Sequence, residues 1–363
     1  MITKSFKNID WILYAVVFLL SVLSIILLYS LTYNSPDKSI LYYQIIFISV
    51  SFVIMVLIQF FDYRHLKSMS WILYLIGIVG LVAVVLFGKS TFGANRWIDI
   101  GFFKLQPSEF LKVIIIISLS AYLSTKEVLK SKELVFSIII IAIPIILVML
   151  QPDMGTAIII GVTSIAILIA SGLKKYHLIS MGGLIILLAP IFWFFVLKPY
   201  QIKRIVSFLN PSADPFKSGY HVLQSIIAVG SGMFFGRGLG KGYQSQLNFL
   251  PAPHTDFIFA VLAEGLGLFG IMLLLALFAT MLFRIFKTLS LVNNKFGYLI
   301  CVGAITFIVV QFLINVGMNL GVAPVTGIPL PFVSYGGSHI LVGMILIGII
   351  QSINVRMKKY SIS

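Results

Sequence analysis

The chain has 363 residues, of which 60% are hydrophobic and only 10% charged, with a formal net charge of +15. A soluble domain is about 45–50% apolar and about 25% charged, so this chain has too little charge to cover a water-facing surface. The basic residues mostly flank apolar runs, which makes the positive excess a signal of membrane topology rather than a footprint for nucleic acid.

A bilayer span takes roughly 20 apolar residues. The candidates, in chain order, are 11–33, 42–61, 69–88, 108–124, 134–150, 155–172, 177–197, 257–283, 298–319 and 339–355. The first run follows Lys4 and Lys7, exceeds the roughly 7–15 residues of a signal-peptide core, and lacks a small-residue cleavage site after it, so it is expected to stay as a span. With the N-terminus inside, the inner segments hold Lys4, Lys7, Arg64, Lys67, Lys126, Lys130, Lys132, Lys174, Lys175, Arg284, Lys287, Lys295, Arg356, Lys358 and Lys359. The short outer loops hold only Lys38, Lys89, Arg96 and Lys104. This bias predicts an all-α polytopic membrane protein, 1–363 as one integral domain, with about ten spans and both termini cytoplasmic.

The connection 198–256 is far longer than the ~12–15 residues beyond which a loop is usually functional or disordered, and it is too apolar for disorder. Within it Tyr220, Leu223, Ile226, Ile227 and Met233 recur near helical spacing. A short interfacial or re-entrant helix is expected near 219–234. Gly230, Gly232, Gly236, Gly238, Gly240 and Gly242 follow no predicted strand, so they suit a hinge or close packing rather than a dinucleotide fingerprint.

Ionisable residues at membrane depth are costly and each raises a question of function. Glu109 and Lys112 lie three apart on one helix face, either as a self-neutralising pair that holds the bundle or as part of a site. Thr255 and Asp256 open the eighth span, either as ordinary helix capping or as a carboxylate at the outer surface. Glu264 follows two turns deeper, without an obvious local partner. Arg96, Lys104, Lys203, Arg204, Arg237 and Lys241 lie on the outer side, where topology does not require them and where they suit an anionic substrate such as a phosphate ester. The connection Gly321–Ser338 is uncharged, with Pro324, Pro329 and Pro331. Irregular backbone survives at membrane depth only where protein or a cavity satisfies it, so this connection is expected to line a cavity, with a plain turn capped by Ser338 as the simpler alternative. The histidines are scattered, no metal cage or nucleophile triad is visible, and the single cysteine, Cys301, reads as a small apolar filler.

Six stretches together resemble the shape, elongation, division and sporulation (SEDS) family of bacterial membrane proteins, which includes RodA and FtsW. They are Gly93-Ala94-Asn95-Arg96-Trp97-Ile98, Gln106-Pro107-Ser108-Glu109, Gln151-Pro152-Asp153-Met154-Gly155, Arg204 with Asn210-Pro211, Asp214-Pro215 and Gly219-Tyr220, His254-Thr255-Asp256-Phe257-Ile258-Phe259, and Thr326–Gly337. Phe259-Ala260-Val261-Leu262-Ala263-Glu264 and the short N-terminal tail look more like RodA than FtsW. The family has ten spans, in agreement with the count from hydropathy.

The resemblance implies a peptidoglycan glycosyltransferase that polymerises lipid II at the outer face of the bacterial cytoplasmic membrane, serving elongation and rod shape. The family's catalytic aspartate falls on Asp256. Its motif positions put Arg96, Lys104, Glu109, Lys112 and Arg204 in the substrate site. It also implies a class B penicillin-binding transpeptidase as partner, alongside membrane lipids and with no nucleic acid. No cofactor is certain; a divalent cation, magnesium or manganese, could assist the pyrophosphate. The chain departs from the family at Ala252 and Gly265, where glutamates are common. A flippase for lipid-linked cell-wall precursors and an FtsW-type division polymerase are the alternatives.

Overall fold

The structure is a computed structural model that describes residues 8–33, 37–91, 94–99, 104–126, 130–191, 199–209, 218–247 and 249–357. The motif residues Gly93, Asn210, Pro211, Asp214 and Pro215 lie outside them, as does the side chain of Lys203.

Each predicted span overlaps a helix, residues 192–197 of the seventh lying outside the described residues. These helices are α1 (Trp11–Thr32), α2 (Ser39–Phe60), α3 (Arg64–Phe87), α4 (Pro107–Ser124), α5 (Ser131–Leu150), α6 (Met154–Ala170) and α7 (Lys175–Ile191). After the long connection come α11 (Ile258–Leu291), α12 (Lys295–Asn319) and α13 (Gly337–Arg356). Eight of them are long and apolar enough to cross a membrane; α6, with 17 residues, is shorter. The short fourth span is real: Pro107 sits in its first turn, where its missing N–H costs nothing. Asp10 caps α1 by accepting from Leu13 N at 3.1 Å.

Three further helices occupy the long connection, α8 (Pro199–Leu209), α9 (Ser218–Ser231) and the single turn α10 (Tyr243–Gln246). Sequence patterning did not anticipate a small antiparallel sheet between α3 and α4, with strands β1 (Lys89–Thr91), β2 (Ala94–Asp99) and β3 (Lys104–Leu105) in the order β1-β2-β3. These strands are too short to give a period.

Helix α13 packs along α2, α3 along α4, and α12 along α6 and α4, while α11 lies between α1, α9 and α12. The helices at the centre are buried and those at the edge expose Ile, Leu, Val and Phe, as lipid-facing helices do.

Helix α11 is broken at Gly267 (φ 62°, ψ −155°), a conformation open only to glycine. The freed backbone is paired by the glycine-rich connection: Arg237 N donates to Glu264 O at 2.8 Å and Gly238 N to Gly265 O at 3.0 Å, and Leu268 N donates to Met233 O at 2.8 Å. A Cβ at Gly232 would collide with the Ala263 carbonyl, and one at Gly236 with that of Gly265. Close backbone packing is therefore what these glycines provide.

Glu264, which had no partner in sequence, accepts from Gln244 N at 2.8 Å and Ser245 N at 3.0 Å. It anchors the N-terminus of α10, where a carboxylate meets two free N–H groups.

Candidate active site

Asp256 lies in the turn just before α11. The N-cap of that helix is Phe257, and no side chain caps it. The capping reading therefore fails, and the carboxylate is left for other use. It is partly exposed at the surface of the turn. Burial by the surrounding protein pushes its pKa up from the ordinary carboxylate value, against a hydrogen bond from Thr255 and the nearby guanidinium groups of Arg204 and Arg96. Asp153 is the second carboxylate close enough to act on it.

The turn is held from below. On α12, Gln311, Asn315 and Asn319 are fully buried at successive helical turns. Asn315 Nδ2 donates to Asp256 O at 3.0 Å and to Ile328 O at 2.7 Å. Asn319 Nδ2 donates to Asp256 O at 3.0 Å, and its Oδ1 accepts from Ala260 N at 3.2 Å. Gln311 Nε2 donates to Pro329 O at 2.9 Å. Ser225 of α9 joins by donating to Asn319 O at 2.9 Å.

The proline-rich connection closes one side. Ser334 Oγ donates to Thr255 O at 2.6 Å and accepts from Leu330 N at 2.7 Å. Tyr335 N donates to His254 O at 2.9 Å. Gln44 of α2 donates to Ser334 O at 3.2 Å and accepts from Gly336 N at 3.3 Å. Gly327 has φ +74°, and a Cβ there would stand 3.5 Å from Asp256 Oδ2. Side-chain amides thus satisfy the inner part of the connection, while its Pro324, Val325 and Thr326 line a small cleft, as expected of irregular backbone at this depth. Ser338 is not a helix cap: its Oγ accepts from Gln106 N at 3.1 Å and donates to Lys104 O at 3.4 Å.

The small cleft is lined by Arg96 and Arg204 with Pro152, Met154, Gln201, Pro324, Val325 and Thr326; Asp256 meets it through these two guanidinium groups and is not itself in the lining. Arg96, on β2, donates to Gln151 O at 3.2 Å and to Pro152 O, and its Nη1 lies 3.9 Å from Asp153 Oδ1. Arg204, on α8, donates to Val325 O at 3.2 Å. Asp153 caps α6 through Thr156 and accepts from Gln106 Nε2 at 3.3 Å.

Of the six outer cations, then, Arg96 and Arg204 act on Asp256. Lys104 is exposed on β3. Arg237 is turned to Ser231 O at 3.3 Å and lies over the Tyr243 ring, 5.2 Å from its centroid. Glu109 and Lys112 form a buried ion pair at 2.7 Å, with Lys112 over Phe307 at 5.3 Å. They do not reach Asp256 directly; Lys112 lies beside His339, whose Nδ1 is 3.4 Å from Gln311 Nε2. Glu109 Oε2 and His339 Nε2 have no hydrogen-bond partner. No group of three His, Cys, Asp or Glu side chains that could hold a metal occurs among the described residues.

The family of cell cycle proteins comprising FtsW, RodA and SpoVE matches residues 8–359. The chain belongs to the FtsW/RodA/SpoVE family. It is 40% identical over 316 residues to the peptidoglycan glycosyltransferase MrdB of Escherichia coli K12, covering 86% of this chain and 85% of MrdB. It is 36% identical over 322 residues to the stage V sporulation protein E of Bacillus subtilis, covering 87% of each. Among solved structures, a chain of a peptidoglycan synthase complex that coordinates polymerization and crosslinking superposes with a TM-score of 0.83 at 27% identity, over 97% of this chain and 99% of that one. RodA of Thermus thermophilus superposes with a TM-score of 0.73 at 24% identity, over 97% of this chain and 98% of that one. Membership of the FtsW/RodA/SpoVE family and the apolar helices together make this an integral membrane protein.

Proposed function

We propose that this chain is a peptidoglycan glycosyltransferase that polymerises lipid II, with Asp256 as its general base. The glycosyltransferase assignment follows from family membership and from the identity to MrdB over most of both chains. The observation that carries the catalytic reading is that the Asp256 carboxylate caps no helix, while burial raises its pKa beside two guanidinium groups.

In the proposed step the carboxylate takes the proton from the 4-hydroxyl of the acceptor sugar. That oxygen forms the new bond to the anomeric carbon of the donor. The bond from that carbon to the pyrophosphate oxygen breaks, and undecaprenyl pyrophosphate leaves with the electron pair. General base catalysis is worth roughly 10²–10⁴-fold, most when the base pKa approaches the working pH, which is the direction burial drives Asp256. Arg96 and Arg204 border the cleft and stabilise charge on the leaving group. Lys104, exposed on β3, extends this positive rim. Glu109 and Lys112 brace the floor through His339 and Gln311 rather than touching the reacting atoms. The described residues offer no protein cage for a divalent cation, since the Asp153 oxygens are engaged with Thr156, Gln106 and Arg96; a magnesium ion on the pyrophosphate would be held by the substrate's own phosphates with Asp256 as the available carboxylate.

The charge bias of the loops supports a ten-span topology with both termini in the cytoplasm, which puts Asp256, β2 and α9 on the outer face of the bacterial cytoplasmic membrane. Likeness to a synthase complex that couples polymerization to crosslinking supports a class B penicillin-binding transpeptidase as partner. The likeness to MrdB supports a role in elongation and rod shape.

Purified protein is supplied with lipid II and the products are sized on a gel. Polymer formation is expected. Translocation of lipid II across a reconstituted bilayer with no polymer formed would replace this reading with the flippase alternative.

A further inference from the structure

Met233, Phe234 and Phe235 form the tip of the glycine-rich connection and are 80%, 70% and 90% exposed. Three large apolar side chains at such exposure on one tip are costly in water. Their depth can be read from hydrogen bonds to two spanning helices.

The inner end of the bundle is marked where Arg284 of α11 pairs with Asp10 at 2.7 Å, beside Trp11 at the start of α1. Climbing α1 from Asp10 to Ser30 covers about 30 Å at 1.5 Å per residue, which is about the thickness of the hydrocarbon core. At that height Ser30 O accepts from Gln246 Nε2 at 2.9 Å, on the same short helix that Glu264 anchors. The level of α10 and Glu264 is therefore the far edge of the hydrocarbon. The tip hangs below that edge. Met233 O accepts from Leu268 N at 2.8 Å and Phe234 O from Phe269 N at 3.2 Å. Leu268 stands only about 24 Å above Arg284 along the helix.

The burial of α11 changes at the same place. Residues Ile258–Gly265 are all buried, whereas Leu268, Phe269, Met272 and Leu273 are exposed in the manner of a lipid-facing helix. The tip continues that exposed surface.

We infer that Met233, Phe234 and Phe235 are inserted among the acyl chains of the leaflet on the Asp256 side, as a re-entrant wedge that fixes the depth of the long connection. The backbone suits the insertion: Met233 holds φ 47°, Gly236 φ 77° and Gly238 φ 95°, which turn the chain back within a few residues. Above the tip, Lys241 is exposed where it meets headgroup phosphate. This inference rests on the two spanning helices and is independent of the chemistry assigned to Asp256.

The test uses full-length protein in lipid nanodiscs carrying Phe235→Cys labelled with a nitroxide, with Leu273→Cys as a lipid-facing reference and Lys241→Cys as a headgroup-level one. Cys301 is buried, so unsubstituted protein gives the labelling blank. Collision of the label with dissolved oxygen and with a water-soluble nickel chelate is measured by electron paramagnetic resonance. At 235 the oxygen-to-nickel ratio is expected to match that at 273 and to exceed that at 241 several-fold. A ratio like that at 241, or shielding from both reagents as under a protein partner or a second copy, overturns the inference. Phe234→Cys supplies the same reading if the first variant does not fold.

Discussion

The Asn315 side-chain amide donates to the main-chain carbonyl of Asp256 at 3.0 Å, and Asn319 one turn on donates to the same oxygen at the same distance. Two buried amides on one rigid helix thus fix the backbone of the proposed base. Asn315→Leu should leave Ile328 O without that donor, at a cost of about 1–3 kcal/mol for an unsatisfied buried group, and leave Asp256 O held by Asn319 alone. The expected result is a fall in kcat of roughly 10- to 100-fold with little change in KM, because misplacing a base affects the chemical step more than binding. The Asn315→Leu/Asn319→Leu double variant should lose more than the sum of the single losses, since either amide alone still satisfies the shared carbonyl and only the double variant strips it of both donors. Steady-state polymerisation kinetics on the four proteins measure this.

The pH dependence follows from the raised pKa of Asp256. The base is active when ionised, so activity should fall as pH drops through a value above the ordinary carboxylate range. Arg204→Gln removes a charge that opposes the upward shift. It should move the acid limb to still higher pH and cut the rate at neutral pH by roughly 10-fold. A pH–rate profile of the two proteins checks the direction.

The same shift has a consequence for stability. A carboxyl whose pKa is higher folded than unfolded favours the protonated folded state, and that contribution is lost as pH rises through the folded pKa. Ionised Asp256 therefore costs stability at neutral pH. Asp256→Asn should raise the Tm at pH 7 and leave it unchanged at pH 3, where both states are neutral. Thermal unfolding in detergent at the two pH values measures the difference.

The Glu109–Lys112 pair is buried and its removal should depend on which half is lost. Lys112→Met leaves an uncompensated carboxylate in the membrane and should destabilise by about 3–5 kcal/mol. Glu109→Gln/Lys112→Met should recover most of that loss in a thermal melt, because no buried charge is left alone.

Much of this architecture was legible in the sequence because the bilayer imposes one rule on every span. The predicted run 298–319 and the observed Lys295–Asn319 differ by three residues at one end only, since the apolar run and the helix end together at Asn319. The glycines of 230–242 announced close packing, and Gly232 and Gly236 meet the α11 backbone. Arg96 and Arg204 stand out as cations on the outer side, where topology does not require them, and as motif positions of the resemblance; the fold brings both near Asp256.

What stayed hidden was chemistry without charge. Gln311, Asn315 and Asn319 are strongly polar but sit inside an apolar run whose average hydropathy stays high, so they do not interrupt the predicted span. Their spacing of four was the signal, since three amides on one face of a span need partners. Asp153 passed as part of a tight turn, although it caps α6 and contributes to the field at Asp256. The sheet carrying Arg96 is too short for alternation to appear. Helix α9 buries Val222, Ser225 and Ala228 and turns Leu223, Ile226 and Ile227 outward, a choice of face that only the positions of α11 and α12 decide.

The central claim is that Asp256 is the base of a glycosyl transfer. The most direct measurement is polymerisation of lipid II by purified wild-type protein and by Asp256→Asn, with both shown to be folded by their melting curves. The account predicts a loss of about 10²–10⁴-fold in rate for the variant, the worth of a general base, in a protein at least as stable as wild type. Polymerisation by Asp256→Asn at the wild-type rate would contradict it.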